Sequence, residues 1–222
     1  MRLSEQDHAR VSAAVTAAEA HTAGEIVTVV AGRSDAYHDV ALHWAVLAML
    51  GVIAALAARP DWATALWALV GDGWSEPPAG AALMVALVLA TLAFLLVRFA
   101  LAWLPLRMAL TPGTTKTRRV RRQAMALFRV AAERRTRGRT GVLLYLSLAE
   151  HRAEIIADTA IHDRVAADVW GHAMASLIAG VKDGRAGDGL AAAVEEVGRV
   201  LAEHFPIQAG DVNELPDHVV HL

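Results

Sequence analysis

The sequence contains no cysteine. Disulfide bonds, thiolate metal sites and cysteine nucleophiles are therefore excluded. It also lacks the G-x-S-x-G nucleophile elbow, the H-E-x-x-H metal pair, a phosphate-cradling glycine loop and the dinucleotide fingerprint. Gly184, Gly187 and Gly189 lie close together among Lys182 and Arg185 ahead of a helix, and read as a plain turn. Aromatic residues make up only 5% of the chain, although apolar residues make up 55%. Much of that apolar content is alanine, which suits helices. Charge is missing over two long stretches: residues 40–58 and 80–97 carry no Asp, Glu, Lys or Arg.

Those stretches dominate the reading. Mean hydropathy is +0.38, unusual for a soluble chain of 222 residues. At 1.5 Å per residue, about 20 helical residues cross the hydrocarbon core. Residues 40–58 meet that length. Residues 80–104 meet it if Arg98 snorkels to the interface. Trp44 and Trp103 sit near the expected boundaries, where indole rings favour headgroups. His43 is close to a segment end and reads as interfacial. Neither segment reads as a signal peptide, since the first follows a charged, patterned stretch with no small-residue cleavage site. The expectation is an integral membrane protein with two spans.

The charges that exist are unevenly placed. Between Arg107 and Arg139 there are eleven basic residues and one acid, Glu133; from Thr140 onward there are five basic residues and thirteen acids. The connecting stretch 59–79 has one basic residue and three acids. The positive-inside rule then puts the basic collar in the cytoplasm, and two spans put both termini there, in the inner membrane. The connecting loop, with Trp62, Trp67 and Trp74, is expected to lie along the outer membrane surface. A basic collar directly after a span suits anionic lipid headgroups through Arg118, Arg119, Arg121 and Arg122. It lacks the interleaved aromatics expected of a nucleic-acid surface.

The remainder reads as alternating helices and strands. Ser4-Glu5-Gln6-Asp7 has the form of a capping box, followed at helical spacing by Val11, Val15 and Ala18. Residues 25–31 (EIVTVVA) form a short β-branched strand between Gly24 and Gly32. In the collar, Val120, Ala124, Leu127, Phe128 and Ala131 make an apolar helical stripe that Gly138 breaks. Residues 142–148 and 153–157 form a β-hairpin around Glu150-His151-Arg152. One helix carries Val165, Val169, Ala173, Leu177 and Val181. The next is opened by Asp188, carries Leu190, Val194, Val197, Leu201 and Phe205, and stops at Pro206. The tail 207–222, with Pro216, looks irregular. A lone strand is not stable in water, so strand 25–31 must pair with the distant hairpin. The expected fold class is α/β. A small sandwich split into 1–39 and 107–206 is interrupted by a transmembrane hairpin over 40–106 and followed by the tail.

Thr22-Ala23-Gly24-Glu25-Ile26-Val27, Thr140-Gly141-Val142-Leu143-Leu144 and the acid-containing stretch 158–170 carry a resemblance. In that order and spacing, the soluble halves resemble the TPM domain, an α/β/α module of bacterial membrane proteins and of chloroplast proteins. The likeness is to the bacterial branch in which a membrane hairpin interrupts the domain. Some TPM-domain members are described as acid phosphatases with an acidic, divalent-cation-binding cluster at the sheet ends; others have no established activity. This chain departs from the pattern. The usual glycine-rich loop is replaced by Ala157-Asp158-Thr159-Ala160-Ile161-His162-Asp163, and the acid after it corresponds to Asp168.

The densest polar group is Asp158, His162, Asp163 and Asp168, joined by Glu25 at the neighbouring strand start. Carboxylates at strand ends suit Ca²⁺ or Mg²⁺, and His162 suits a transition metal. Alternatively these acids cap the helix starting near Arg164, with Asp163 as N-cap, and pair with Arg152 and Arg164. Two functions follow as expectations. One is a binding or scaffold module that docks a protein partner at the membrane. The other is a divalent-metal-dependent phosphatase.

Overall fold

The computed structural model describes residues 3–70, 78–131, 140–207 and 219–221. The loop segment with Trp74, the end of the basic collar with Gly138, and most of the tail with Pro216 lie outside the described residues. In chain order the elements are α1 (Glu5–Glu19), β1 (Glu25–Ala31), α2 (His38–Ala58), α3 (Pro60–Val70), α4 (Ala81–Ala100), α5 (Leu104–Ala109), α6 (Gly113–Ala131), β2 (Gly141–Ser147), β3 (Arg152–Ala157), α7 (Thr159–His162), a 3-10 turn (Ala167–Trp170), α8 (Gly171–Lys182), α9 (Ala186–His204) and β4 (Val220–His221). They form two compact units, Met1–Asp35 with Gly113–Leu222, and Ala36–Pro112.

The first unit is built on a mixed sheet of order β3-β2-β1-β4. β1 pairs parallel with β2, Glu25 opposite Gly141, so the strand left alone by sequence finds its partner beyond residue 140. Parallel neighbours need a long crossover; here it contains everything between the two strands, the second unit included. β2 returns antiparallel as β3 through a turn in which His151 takes φ 50°. Every residue of β1 and β2 is buried. Both faces of the sheet are covered, which explains near-continuous apolar strands rather than alternation. On one face Val120, Ala124 and Phe128 of α6 meet Val27, Val29, Leu143 and Tyr145. On the other, residues of α1, α8 and α9 meet Ile26, Val30, Val142, Leu144 and Leu146.

Local sequence explains most of these elements. Ser4 Oγ accepts from the Asp7 N–H at 3.1 Å, and Asp7 Oδ2 accepts from the Ser4 N–H at 2.9 Å, a closed capping box. The hydrogen bonds from Ser4 hold the Asp7 carboxyl below its ordinary range. Three expectations need correction. The helix expected over Val165–Val181 is two pieces, because Ala166 is extended and a 3-10 turn precedes α8. α9 begins at Ala186, ahead of Asp188. Gly187 and Gly189 are therefore helical and not a turn. A Cβ at 189 would stand 2.9 Å from the Gly180 Cα, so glycine here permits close contact between α8 and α9. The tail is not wholly irregular either. β4 pairs parallel with β1, but a strand of two residues is too short to show any periodicity.

A polar knot closes one end of the sheet. Ser34 N–H donates to Glu150 Oε1, the Ser34 hydroxyl meets the Tyr145 hydroxyl, and it donates to Ser147 Oγ, each at 2.9 Å. Ser147 Oγ in turn donates to Glu150 Oε2. Burial pushes the Tyr145 phenol upward, against the lowering effect of the Ser34 hydrogen bond. The knot ties the chain after β1 to the β2–β3 turn.

The second unit is helical. α2 and α4 pack on each other with small residues turned inward: Ala41, Ala45, Ala81 and Ala90 are buried. Small side chains let helix backbones approach. Most of the large side chains of α2 and α4 face outward, with Leu47 57%, Leu83 75%, Leu96 69% and Phe99 72% exposed, while Val40 and Leu56 are buried. Both helices are long and apolar enough to cross a membrane. The apolar run expected to continue to Leu104 leaves the helix after Ala100, and Leu104 instead opens α5.

Candidate functional site

The site begins with the position of β3. It is an edge strand, so its residues are only half-buried. Alternation sends Ile156 toward α6 and Ile155 and Ala157 toward the α8 and α9 face. α6 and α8 both contact β3. Between them runs a cleft of about 610 Å³ along the edge, with Arg121, Met125, Phe128 and Arg129 on the α6 wall. Trp170, Gly171 and Met174 form the opposite wall, and residues 154–159 with His162 complete it.

Asp158 closes one end. Its N–H donates to Gly141 O at 2.9 Å, continuing the β2–β3 ladder by one residue. Its Oδ1 accepts from the Thr159 N–H at 2.6 Å, which makes Asp158 the N-cap of α7. The residue is 4% exposed. Its other oxygen, Oδ2, is buried without a hydrogen-bond partner among the described residues. A buried acceptor left unmatched costs about 1–3 kcal/mol, so this atom calls for a donor beyond those the described residues supply. Glu154 lies on the cleft floor. Burial pushes its carboxyl upward, while Arg121 and Arg152 pull it back.

The five acidic and imidazole residues picked out in sequence are distributed unequally. Asp158 and His162 share the cleft. Asp163 ends α7 as its C-cap, so the N-cap role expected for it belongs to Asp158. Asp168 is exposed on the 3-10 turn. Glu25 begins β1, buried, on the far side of β2 from Asp158. Among the described residues, no group of three or more His, Asp or Glu could hold a metal ion. Asp158 and His162 alone are too few oxygen donors for Ca²⁺ or Mg²⁺.

The collar arginines also divide. Arg119 and Arg122 each reach Asp35 Oδ2 at 3.1 Å, and Arg121 borders the cleft. Arg129, Glu154 and Trp170 were invisible as site residues in the sequence, and Arg121 was singled out there for lipid headgroups and not for a cleft. Their only signal there is an arginine spacing of eight along a helix, which puts Arg121 and Arg129 near one face.

No family model matches the chain, and no curated protein matches it. Among solved structures it is similar to the BA42 protein of the psychrophilic bacterium Bizionia argentinensis, determined by NMR. The TM-score is 0.57 at 18% identity, covering 100% of this chain and 97% of that one. At that identity the likeness is one of fold. The chain is thus an α/β protein, mostly helical, around a small mixed sheet.

Proposed function

We propose that this chain is an integral protein of the inner membrane, spanned by α2 and α4 with both termini cytoplasmic. In this reading its α/β unit is a TPM-like binding or scaffold module that docks a protein partner at the membrane. One observation carries the membrane part. Only 17% of the most apolar stretch of α2 and 6% of that of α4 is buried within the protein. Core helices of soluble proteins bury such surface; exposed, it calls for a lipid solvent. Anionic headgroups then meet Arg118 and whatever share of Arg119, Arg121 and Arg122 is not engaged by Asp35 and Glu154. Reporter fusions after Leu222 and within 71–79 test the orientation. They should report opposite sides of the membrane, and a periplasmic C-terminal reporter overturns the assignment.

A second reading, a divalent-metal-dependent phosphatase, is favoured only by the unmatched Asp158 oxygen beside His162. Purified protein assayed on a generic phosphomonoester, with and without Mg²⁺ or Ca²⁺, separates the two. Turnover that Asp158→Asn abolishes supports the enzyme; its absence leaves the binding module.

A further inference from the structure

The open edge of β3 has a readable hydrogen-bond pattern. In an antiparallel pair, residues alternate between bonding the partner strand and facing away from it. Asp158 bonds Gly141, and the register runs unbroken from there to Arg152 opposite Ser147. Residues 156, 154 and 152 therefore bond β2. Ala153, Ile155 and Ala157 turn their N–H and C=O groups outward, toward the cleft side of the sheet. Such an edge is a template for another strand, and this one carries neither proline nor bulge.

Its surroundings fit a guest strand. An added strand sends alternate side chains to opposite faces. One face would meet Met125 and Phe128 of α6, and the other Trp170 and Met174. Two arginines and two carboxylates line the cleft, Arg121 and Arg129 against Glu154 and Asp158, but they are not evenly matched. Arg121 faces Glu154, whereas Arg129 makes no ion pair among the described residues. At the strand's end, the Asp158 Oδ2 is buried and unmatched among the described residues. We propose that the cleft binds an extended peptide, carrying one carboxylate, that adds as a strand to β3. Its backbone pairs with Ala153, Ile155 and Ala157, its apolar side chains enter the two walls, and a carboxylate sits opposite Arg129. The Asp158 Oδ2 accepts an N–H from the peptide. With β3 six residues long, the paired segment is about five residues. This names the partner chemistry of the binding-module reading and rests on it.

The test uses the full chain in detergent. Random octapeptides displayed on phage are selected against it, and the tightest is synthesised and measured by fluorescence anisotropy and amide hydrogen exchange. Selected peptides should alternate apolar residues and carry Asp or Glu, and binding should slow exchange over residues 153–158. N-methylation of alternate peptide nitrogens should weaken binding at least tenfold, because strand addition depends on main-chain hydrogen bonds. Arg129→Glu should weaken it by about tenfold without altering the melting temperature, as reversal of a rim charge does, and Glu154→Gln should tighten it. Peptides that protect another face instead overturn the β3 site and spare the binding-module reading. Selection of no peptide at all counts against both. Binding indifferent to N-methylation overturns strand addition.

Discussion

The two units put their apolar side chains in opposite places. In the α/β unit, Leu143, Leu144 and Leu146 are at most 1% exposed. In the helical unit, Leu87 and Leu96 are 64% and 69% exposed. Residue type is the same; its exposure is not. Water drives the first arrangement, since burying a leucine is worth about 1.5–3 kcal/mol. The second arrangement fits the proposed place of α2 and α4 in hydrocarbon, where packing of small residues holds helices together.

That contrast can be broken by mutation. Leu144→Ala should cost about 2–5 kcal/mol in denaturant titration of detergent-solubilised protein, as core truncations do. Leu96→Ala, facing outward, should change stability by about 0.5 kcal/mol or less. Equal costs would mean that α4 is covered. Gly180→Ala should cost about 1–3 kcal/mol, because its Cβ would strike the Gly189 backbone and overpacking carries that penalty. Asp7→Ala should cost about 1 kcal/mol through the lost cap. The Asp7 pKa is lowered in the folded state, so its contribution is fully present above the ordinary carboxyl value of 3.8 and is lost as pH falls through the folded value. The variant should therefore show a weaker loss of stability in acid than the parent.

Glu154→Gln should have the smallest effect, within about 0.5 kcal/mol. Its sign is opposite to that of Asp7. A raised carboxyl pKa means folding is disfavoured where the group is ionised, so the substitution should be neutral or slightly stabilising at pH 7 and lose that advantage in acid.

What was legible in sequence follows the same physics. Residues 40–58 and 80–97 lack charge, and the helices formed there are the two long enough to cross a membrane. Ser4 and Asp7 announce α1, and the capping box forms. Glu25–Ala31 announces a strand, and its β-branched run is indeed β1. Tertiary facts were not legible. Asp163 and Asp158 look alike as caps in sequence; the ladder bond to Gly141 decides between them. Gly187 and Gly189 look like a turn, and only the close approach of Asp7 to the first and of Gly180 to the second explains them inside a helix. The cleft joins Arg129, Asp158 and Trp170 from separate elements, so no local pattern contains it. The five metal candidates lie on α7 and its caps, the 3-10 turn and β1, and only Asp158 and His162 share the cleft.

The central claim is a water-soluble α/β unit interrupted by a bilayer hairpin. Fractionating cells that express either the full chain or a chain in which a flexible linker replaces residues 36–112 tests it directly. The account predicts the full chain in carbonate-washed membranes, and the shortened chain soluble without detergent and unfolding cooperatively. A full chain released by carbonate, or a shortened chain that stays insoluble and unfolded, would contradict it.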